Sequence, residues 1–248
     1  MKQQKTLGVI ACGLLLMASN ATAQSNGDRP AWSVTPYLWA ADTTIDLVFR
    51  DNIGVGGELS FGDVVDTLDA GFMLHVENHG GGNWSTFGDL FYLRTSDTTE
   101  RPALSIDAEN EQILLDVVAA YWPAGVGTPL NVFGGMRYSG FDNRYRFRAL
   151  GNPLADRRSS SNYYDALLGI RYEFDLSERW ALLTRGDASF GDSEGTYLLR
   201  ANFAYTVGKR QQNRIVFGYQ HKEAEYKDGD LVTDFTLSGP MAGFNFVF

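Results

Sequence analysis

Apolar and polar positions alternate one for one along most of the chain, and no segment keeps the spacing of an amphipathic helix for more than three turns. The clearest run is 164–174. Tyr164, Ala166, Leu168, Ile170, Tyr172 and Phe174 share one face; Asp165, Leu167, Gly169, Arg171 and Glu173 share the other. Segment 179–190 repeats it, with Trp180, Leu182, Thr184, Gly186, Ala188 and Phe190 opposite Arg179, Arg185, Asp187 and Ser189. Segment 196–207 sets Tyr197, Leu199, Ala201, Phe203, Tyr205 and Val207 against Thr196, Arg200, Asn202 and Thr206. A soluble sandwich would turn the charged face to water. Here the apolar faces end in Tyr, Trp or Phe, as membrane girdles do, and the charged faces are mixed with Gly, Ala and Ser, as a narrow interior requires. Strands with an apolar face in lipid must close on themselves, because every backbone group needs a partner there.

The pattern therefore predicts an all-β fold: a closed, antiparallel, up-and-down transmembrane barrel of about ten strands, within a range of eight to twelve. The strands are expected near 32–41, 70–78, 83–94, 110–122, 129–140, 163–174, 179–190, 196–207, 214–225 and 232–248. Linkers 78–82, 124–127, 175–178 and 208–213 are short and suit periplasmic turns. Of the alternate linkers, 42–69, 95–109 and 141–162 are long and are expected as extracellular loops, although 191–195 and 226–231 are short. Within the first of these, 42–60 has room for a hairpin, and 60–68 reads as a short helical segment packed over or into the barrel. An even strand number leaves both termini in the periplasm.

Residues 1–23 read as a signal peptide, with Lys2 and Lys5 ahead of an apolar core from Leu7 to Met17 and Ala21-Thr22-Ala23 at the cleavage site. Val9-Ile10-Ala11-Cys12 loosely fits a lipidation motif. Few apolar residues precede Cys12, however, and the apolar core continues past it. The barrel domain is then 24–248, without cysteine, disulfide or thiolate metal site. Over the whole chain, 21 basic residues face 30 acidic ones; without Lys2 and Lys5 the formal charge is −11. Such an acidic chain is a poor nucleic-acid partner. A mean hydropathy of −0.21 and the lack of a long apolar run outside the leader exclude a helical membrane protein.

The chain ends Phe244-Asn245-Phe246-Val247-Phe248, which resembles the C-terminal signature of Gram-negative outer-membrane proteins. That resemblance implies recognition of Phe248 by the barrel-assembly machinery. Trp32 to Ala40, Ser60 through Met73, Asp165 with Gly169-Ile170-Arg171-Tyr172, Gly186-Asp187, Gly218-Tyr219 and Gly239-Pro240 resemble an uncharacterised family of proteobacterial outer-membrane β-barrels. Gln220-His221 stands where such families commonly carry Arg after Gly-Tyr. The resemblance implies a small porin-like fold in the outer membrane, and no catalytic residues.

The candidate chemistry lies in four groups. Asp89, Asp116, Arg137, Asp165, Arg171, Glu173, Arg185, Asp187 and Arg200 fall on lumen-facing positions, where charges must pair or stay hydrated. They read as an interior salt-bridge network or as a polar pathway. Arg144, Arg146 and Arg148 alternate beyond the fifth strand, where guanidinium groups could hold lipopolysaccharide phosphates. His75, Glu77 and His79 share a strand face, but neighbours on one face lie roughly 6.5–7 Å apart, so a polar periplasmic rim accounts for them better than a metal. His221, Glu223 and Glu225 near the outer end of the ninth strand could orient a base, yet no serine follows at the matching alternation.

These readings together give a non-enzymatic, monomeric outer-membrane barrel without metal or cofactor. It is expected to act as a narrow pore or as a structural, lipopolysaccharide-contacting barrel. The alternative is a hydrolase of lipid or peptide with its site at the extracellular rim near His221.

Overall fold

β-strands take up most of the chain that the computed structural model describes, residues 32–49, 53–102, 104–150, 152–208, 213–228 and 231–248. The signal segment and Cys12 lie outside these residues. The strands are β1 (Trp32–Trp39), β2 (Asp42–Phe49), β3 (Ile53–Leu59), β4 (Leu68–Asn78), β5 (Trp84–Arg101), β6 (Leu104–Tyr121), β7 (Leu130–Ala149), β8 (Asn152–Asp175), β9 (Trp180–Gly191), β10 (Gly195–Val207), β11 (Asn213–Asp228) and β12 (Leu231–Val247). One short helix, α1 (Phe61–Asp66), precedes β4.

The wall runs β1-β4-β5 and on in sequence to β12, which pairs back to β1 and closes a ten-stranded antiparallel barrel. Reciprocal bonds of 3.0 Å between Trp32 and Phe248 fasten the seam at the periplasmic end. β2 continues β1 along the same partner in the same register, with Trp39 opposite Met241 and Asp42 opposite Ser238. The ladder is interrupted at Ala40–Ala41 because Pro240, opposite Ala40, has no N–H to give. Ala40 N–H still donates to the Pro240 carbonyl at 2.9 Å. Gly239 permits this approach, since a Cβ there would fall 1.9 Å from the Ala40 oxygen. β2 turns back into β3, which pairs with β2 alone among the described strands, so residues 42–60 do add a hairpin.

α1 begins with a capping box. Ser60 Oγ accepts the Asp63 N–H, and the Asp63 carboxylate accepts the Ser60 N–H at 2.9 Å and its hydroxyl at 2.7 Å. Those bonds hold the Asp63 carboxyl below its ordinary value. Asp42 accepts the Phe61 N–H at 2.8 Å and ties the helix to β2. Phe61 and Val65 stay exposed.

Two expectations are corrected. Linkers 95–109 and 141–162 are not loops: β5 and β6 pair out to Arg101 and Leu104, and β7 and β8 out to Ala149 and Asn152. The chain reverses between β7 and β8 at Leu150, whose φ is 49°. Beyond the apolar zone these strands exchange lipid-facing side chains for cross-strand ion pairs. Arg144 meets Asp156 and Arg158 meets Asp142, both at 2.6 Å; Arg148 meets Asp107 at 3.1 Å, and Arg146 pairs with Glu109. Polar composition imitates a loop, while backbone pairing and diagonal ion pairs between neighbouring strands keep the sheet going.

Outside, Leu38, Leu168, Ile170, Leu199, Phe203 and Ile215 form an exposed apolar band. Trp84 with Tyr121, Tyr172 with Phe174, and Trp180 with Tyr205 girdle the short-turn end; Tyr138 with Tyr164 stand at the other. The strand faces assigned from the alternation of 164–174, 179–190 and 196–207 point as expected, except that Arg179 precedes β9 and reaches the outward Tyr205 instead of the lumen.

Candidate functional site

All nine predicted lumen charges point inward, and six of them meet at mid-height. Asp116 on β6 lies opposite Arg137 on β7, so the guanidinium fork reaches the carboxylate with Nε at 2.8 Å and Nη2 at 2.9 Å. Arg137 Nη2 also donates to Asp187 on β9 at 2.8 Å. Arg185 donates to Asp187 at 2.6 Å, to Asp116 at 2.8 Å and to Asp89 at 3.1 Å. Arg200 reaches Asp89 at 3.3 Å and Gln220 at 2.5 Å. Three guanidiniums thus face three carboxylates, and Arg137 is only 1% exposed. Gly169 leaves the room: a Cβ there would lie 2.3 Å from the Phe133 ring and 2.6 Å from Asp187.

The other three stand apart from that cluster. Arg171 clamps Glu77 with Nη1 at 3.0 Å and Nη2 at 2.7 Å, bonds Asn131 at 3.0 Å, and lies 4.3 Å over the Phe87 ring. Glu173 pairs with Arg214 at 2.8 Å near the periplasmic end. Asp165 holds the turn between β9 and β10, accepting the Ser193 N–H at 3.0 Å and the Ser193 hydroxyl at 2.6 Å. The interior is one compact cluster with three satellites rather than a single web.

Several members escaped sequence reasoning. Tyr37 donates to Asp89 at 2.7 Å, and His75 lies 3.3 Å from the same carboxylate. Glu77 is buried instead of standing on a solvated rim, and accepts from Ser85 at 3.1 Å, which accepts from Trp122 at 2.9 Å. His75 Nε2 is 3.6 Å and His79 Nδ1 4.0 Å from Glu77. Among the described residues no group of three or more His, Cys, Asp and Glu is placed to hold a metal ion. The signal for Glu77 was available: it alternates with Val76 in a strand whose next turn is short.

The cluster divides the lumen. Below it, a vestibule of about 570 Å³ is lined by Glu77, Arg171, Arg200, Arg214, Glu173 and Asn245 among others. Beside Arg137 and Lys222 only about 30 Å³ remains, room for a water or two. Above, Trp39, Phe91, Leu114, Tyr226, Phe235 and Leu237 bury one another in an apolar plug. Phe141 meets Tyr226 and Phe235 edge-on at 5.1 and 6.1 Å. No sequence pattern announced this plug, because its members come from strands far apart in the chain.

On the outer surface, Arg144, Arg146 and Arg148 share the outward face of β7, each beside an acidic partner. A second outward group surrounds His221. Its Nε2 lies 2.9 Å from the Glu223 carboxylate, and its Nδ1 hydrogen-bonds the Ser238 hydroxyl. Ser238 comes from β12, directly opposite His221 in the ladder, which is why no serine at the matching alternation announced it. Tyr197 on β10 lies opposite Glu223, with its ring 5.8 Å from the imidazole.

A closed barrel with a girdled apolar exterior, and with its described charges in the lumen or beyond the ends of the apolar band, defines a transmembrane β-barrel of the outer-membrane type. No family model matches the chain, and no curated protein matches it in sequence. Among solved structures, the outer membrane protease OmpT from Escherichia coli is similar at TM-score 0.57 and 9% identity, covering 92% of this chain and 99% of that one. The translocator domain of the autotransporter NalP from Neisseria meningitidis gives 0.49 and 11%, covering 97% and 96%. Ail, the attachment invasion locus protein of Yersinia pestis, gives 0.38 and 9%, covering 88% and 99%. At such identity the likeness shows the fold alone.

Proposed function

We propose that this barrel is not a pore and that its working surface is its outer face, where it contacts lipopolysaccharide. One observation carries the reading: the lumen is blocked at mid-height by the Asp89–Asp116–Arg137–Arg185–Asp187–Arg200 cluster and roofed by the aromatic plug. Beside the cluster a void of about 30 Å³ has room for a water or two. The outward arginines of β7 supply the contact. A guanidinium has five N–H donors, and one carboxylate engages two at most, so phosphate can share Arg144 and Arg148 with their acidic partners. Refolded protein in planar bilayers should show no stable open level; a reproducible single-channel step would overturn the closed-lumen reading. The same protein should retain lipopolysaccharide through gel filtration, and the combined Arg144→Gln, Arg146→Gln, Arg148→Gln variant should lose it. Unchanged retention would remove these arginines from the contact.

A further inference from the structure

We propose that Ser238, His221 and Glu223 form a hydrolytic site on the lipid-facing wall that cleaves long-chain acyl esters. This goes beyond the closed-lumen reading and shares with it only the outer face as working surface.

The three side chains have the connectivity of an acyl-transfer triad: hydroxyl to imidazole, imidazole to carboxylate. Strand pairing builds it. Ser238 and His221 are directly opposed on β12 and β11, and Glu223 is the next residue on the same face of β11. Nothing in the fold needs this group. The lumen charges are demanded by burial, whereas His221 and Glu223 keep side-chain exposures of 30% and 44% on the outside.

Their height selects the substrate. Glu223 is level with Tyr197 at the upper end of the apolar band, and His221 is level with Leu199. Below them Leu199, Tyr219, Phe217 and Ile215 continue as an exposed apolar strip. A carboxylic ester at the boundary between headgroup and hydrocarbon would meet the serine with its acyl chain along that strip. On the far side of Ser238, Asp42 anchors α1, whose Phe61 and Val65 are exposed.

In the reaction, Ser238 Oγ adds to the ester carbonyl carbon while the facing imidazole nitrogen takes its proton. The ester C–O bond then breaks, and that proton passes to the leaving alcohol. Water, deprotonated by the same nitrogen, attacks the acyl-serine, and collapse returns the proton to Oγ and frees the fatty acid. Ser238 and His221 are the catalytic residues. Glu223 is a positioning residue that fixes the ring.

The test uses the full mature chain folded in detergent, with folding checked by its altered mobility on unheated gels. Two substrates are offered separately: mixed micelles of dipalmitoyl phosphatidylethanolamine, and purified lipopolysaccharide. Fatty-acid release is followed by mass spectrometry. Release from either supports the site and names the lipid. A decyl fluorophosphonate should add covalently at Ser238, and Ser238→Ala should abolish both label and release. His221→Ala should slow them by about 10³-fold or more. Glu223→Gln should lower kcat while leaving KM near its original value, which a merely structural loss would not do. A folded wild-type protein that releases no fatty acid from either lipid and takes no label at Ser238 overturns the proposal. So does a Ser238→Ala variant with undiminished release. Channel recordings report on the lumen alone, so the two readings fall separately.

Discussion

Ile170 and Arg171 are neighbours in the chain and meet opposite surroundings. Ile170 is 50% exposed on the lipid side, whereas Arg171 is clamped to Glu77. Removing one member of a well-buried ion pair costs roughly 3–5 kcal/mol, because the survivor is left uncompensated. Arg171 borders the vestibule with a side-chain exposure of 17%, so Arg171→Ala belongs at or below the lower end of that range. Arg137, at 2% side-chain exposure, bonds two buried carboxylates, so Arg137→Ala belongs at the upper end. Ile170→Ala should cost less than either. Denaturant midpoints of the three refolded variants check the order, and an Ile170→Ala variant as unstable as Arg137→Ala would invert the faces assigned here. Period two revealed which way each of these side chains points. It could not reveal partners, because Glu77 and Arg171 are 94 positions apart and meet only once the barrel has closed.

The elements differ in how much of themselves they show in the sequence. Strands inside the membrane were legible because lipid forces a strict alternation. Their continuations above it were taken for loops, since water tolerates charge on either face and the alternation loses its contrast. α1 announced itself as a short helical segment by its Ser60–Asp63 cap, and that cap predicts a pH response. The Asp63 carboxyl is held below its ordinary value by Ser60, so the stabilisation it gives is complete above the unfolded carboxyl value, about pH 4, and is lost as pH falls through the lower folded value. Amide exchange at Val64, whose N–H donates to the Ser60 carbonyl at 3.1 Å, should stay protected down to about pH 4 and lose protection below it. Asp63→Asn should remove that dependence. Loss of protection on raising the pH instead would reverse the sign and dismiss the cap.

For the molecule as a whole, closure depends on the last residues made. Trp32 and Phe248 exchange backbone bonds, so deleting Phe248 removes both the final rung and the side chain through which the resemblance to the C-terminal signature implies recognition by the barrel-assembly machinery. Outer-membrane levels of the deletion should fall well below wild type in cells, and normal levels would count against that role. The charged cluster also bears on how the barrel is assembled. Asp89 lies opposite Asp116, and Arg185 opposite Arg200; Asp89 and Arg200 therefore meet each other only across the barrel. A strand inserted one residue out of step turns its charge into hydrocarbon, at roughly 2–4 kcal/mol for an arginine near the midplane, and abandons its partners inside. In the observed stagger of β5, β6, β7, β9 and β10, each of the six charges meets an opposite one. The cluster that packs the lumen thus also penalises mis-registered sheets before they can close.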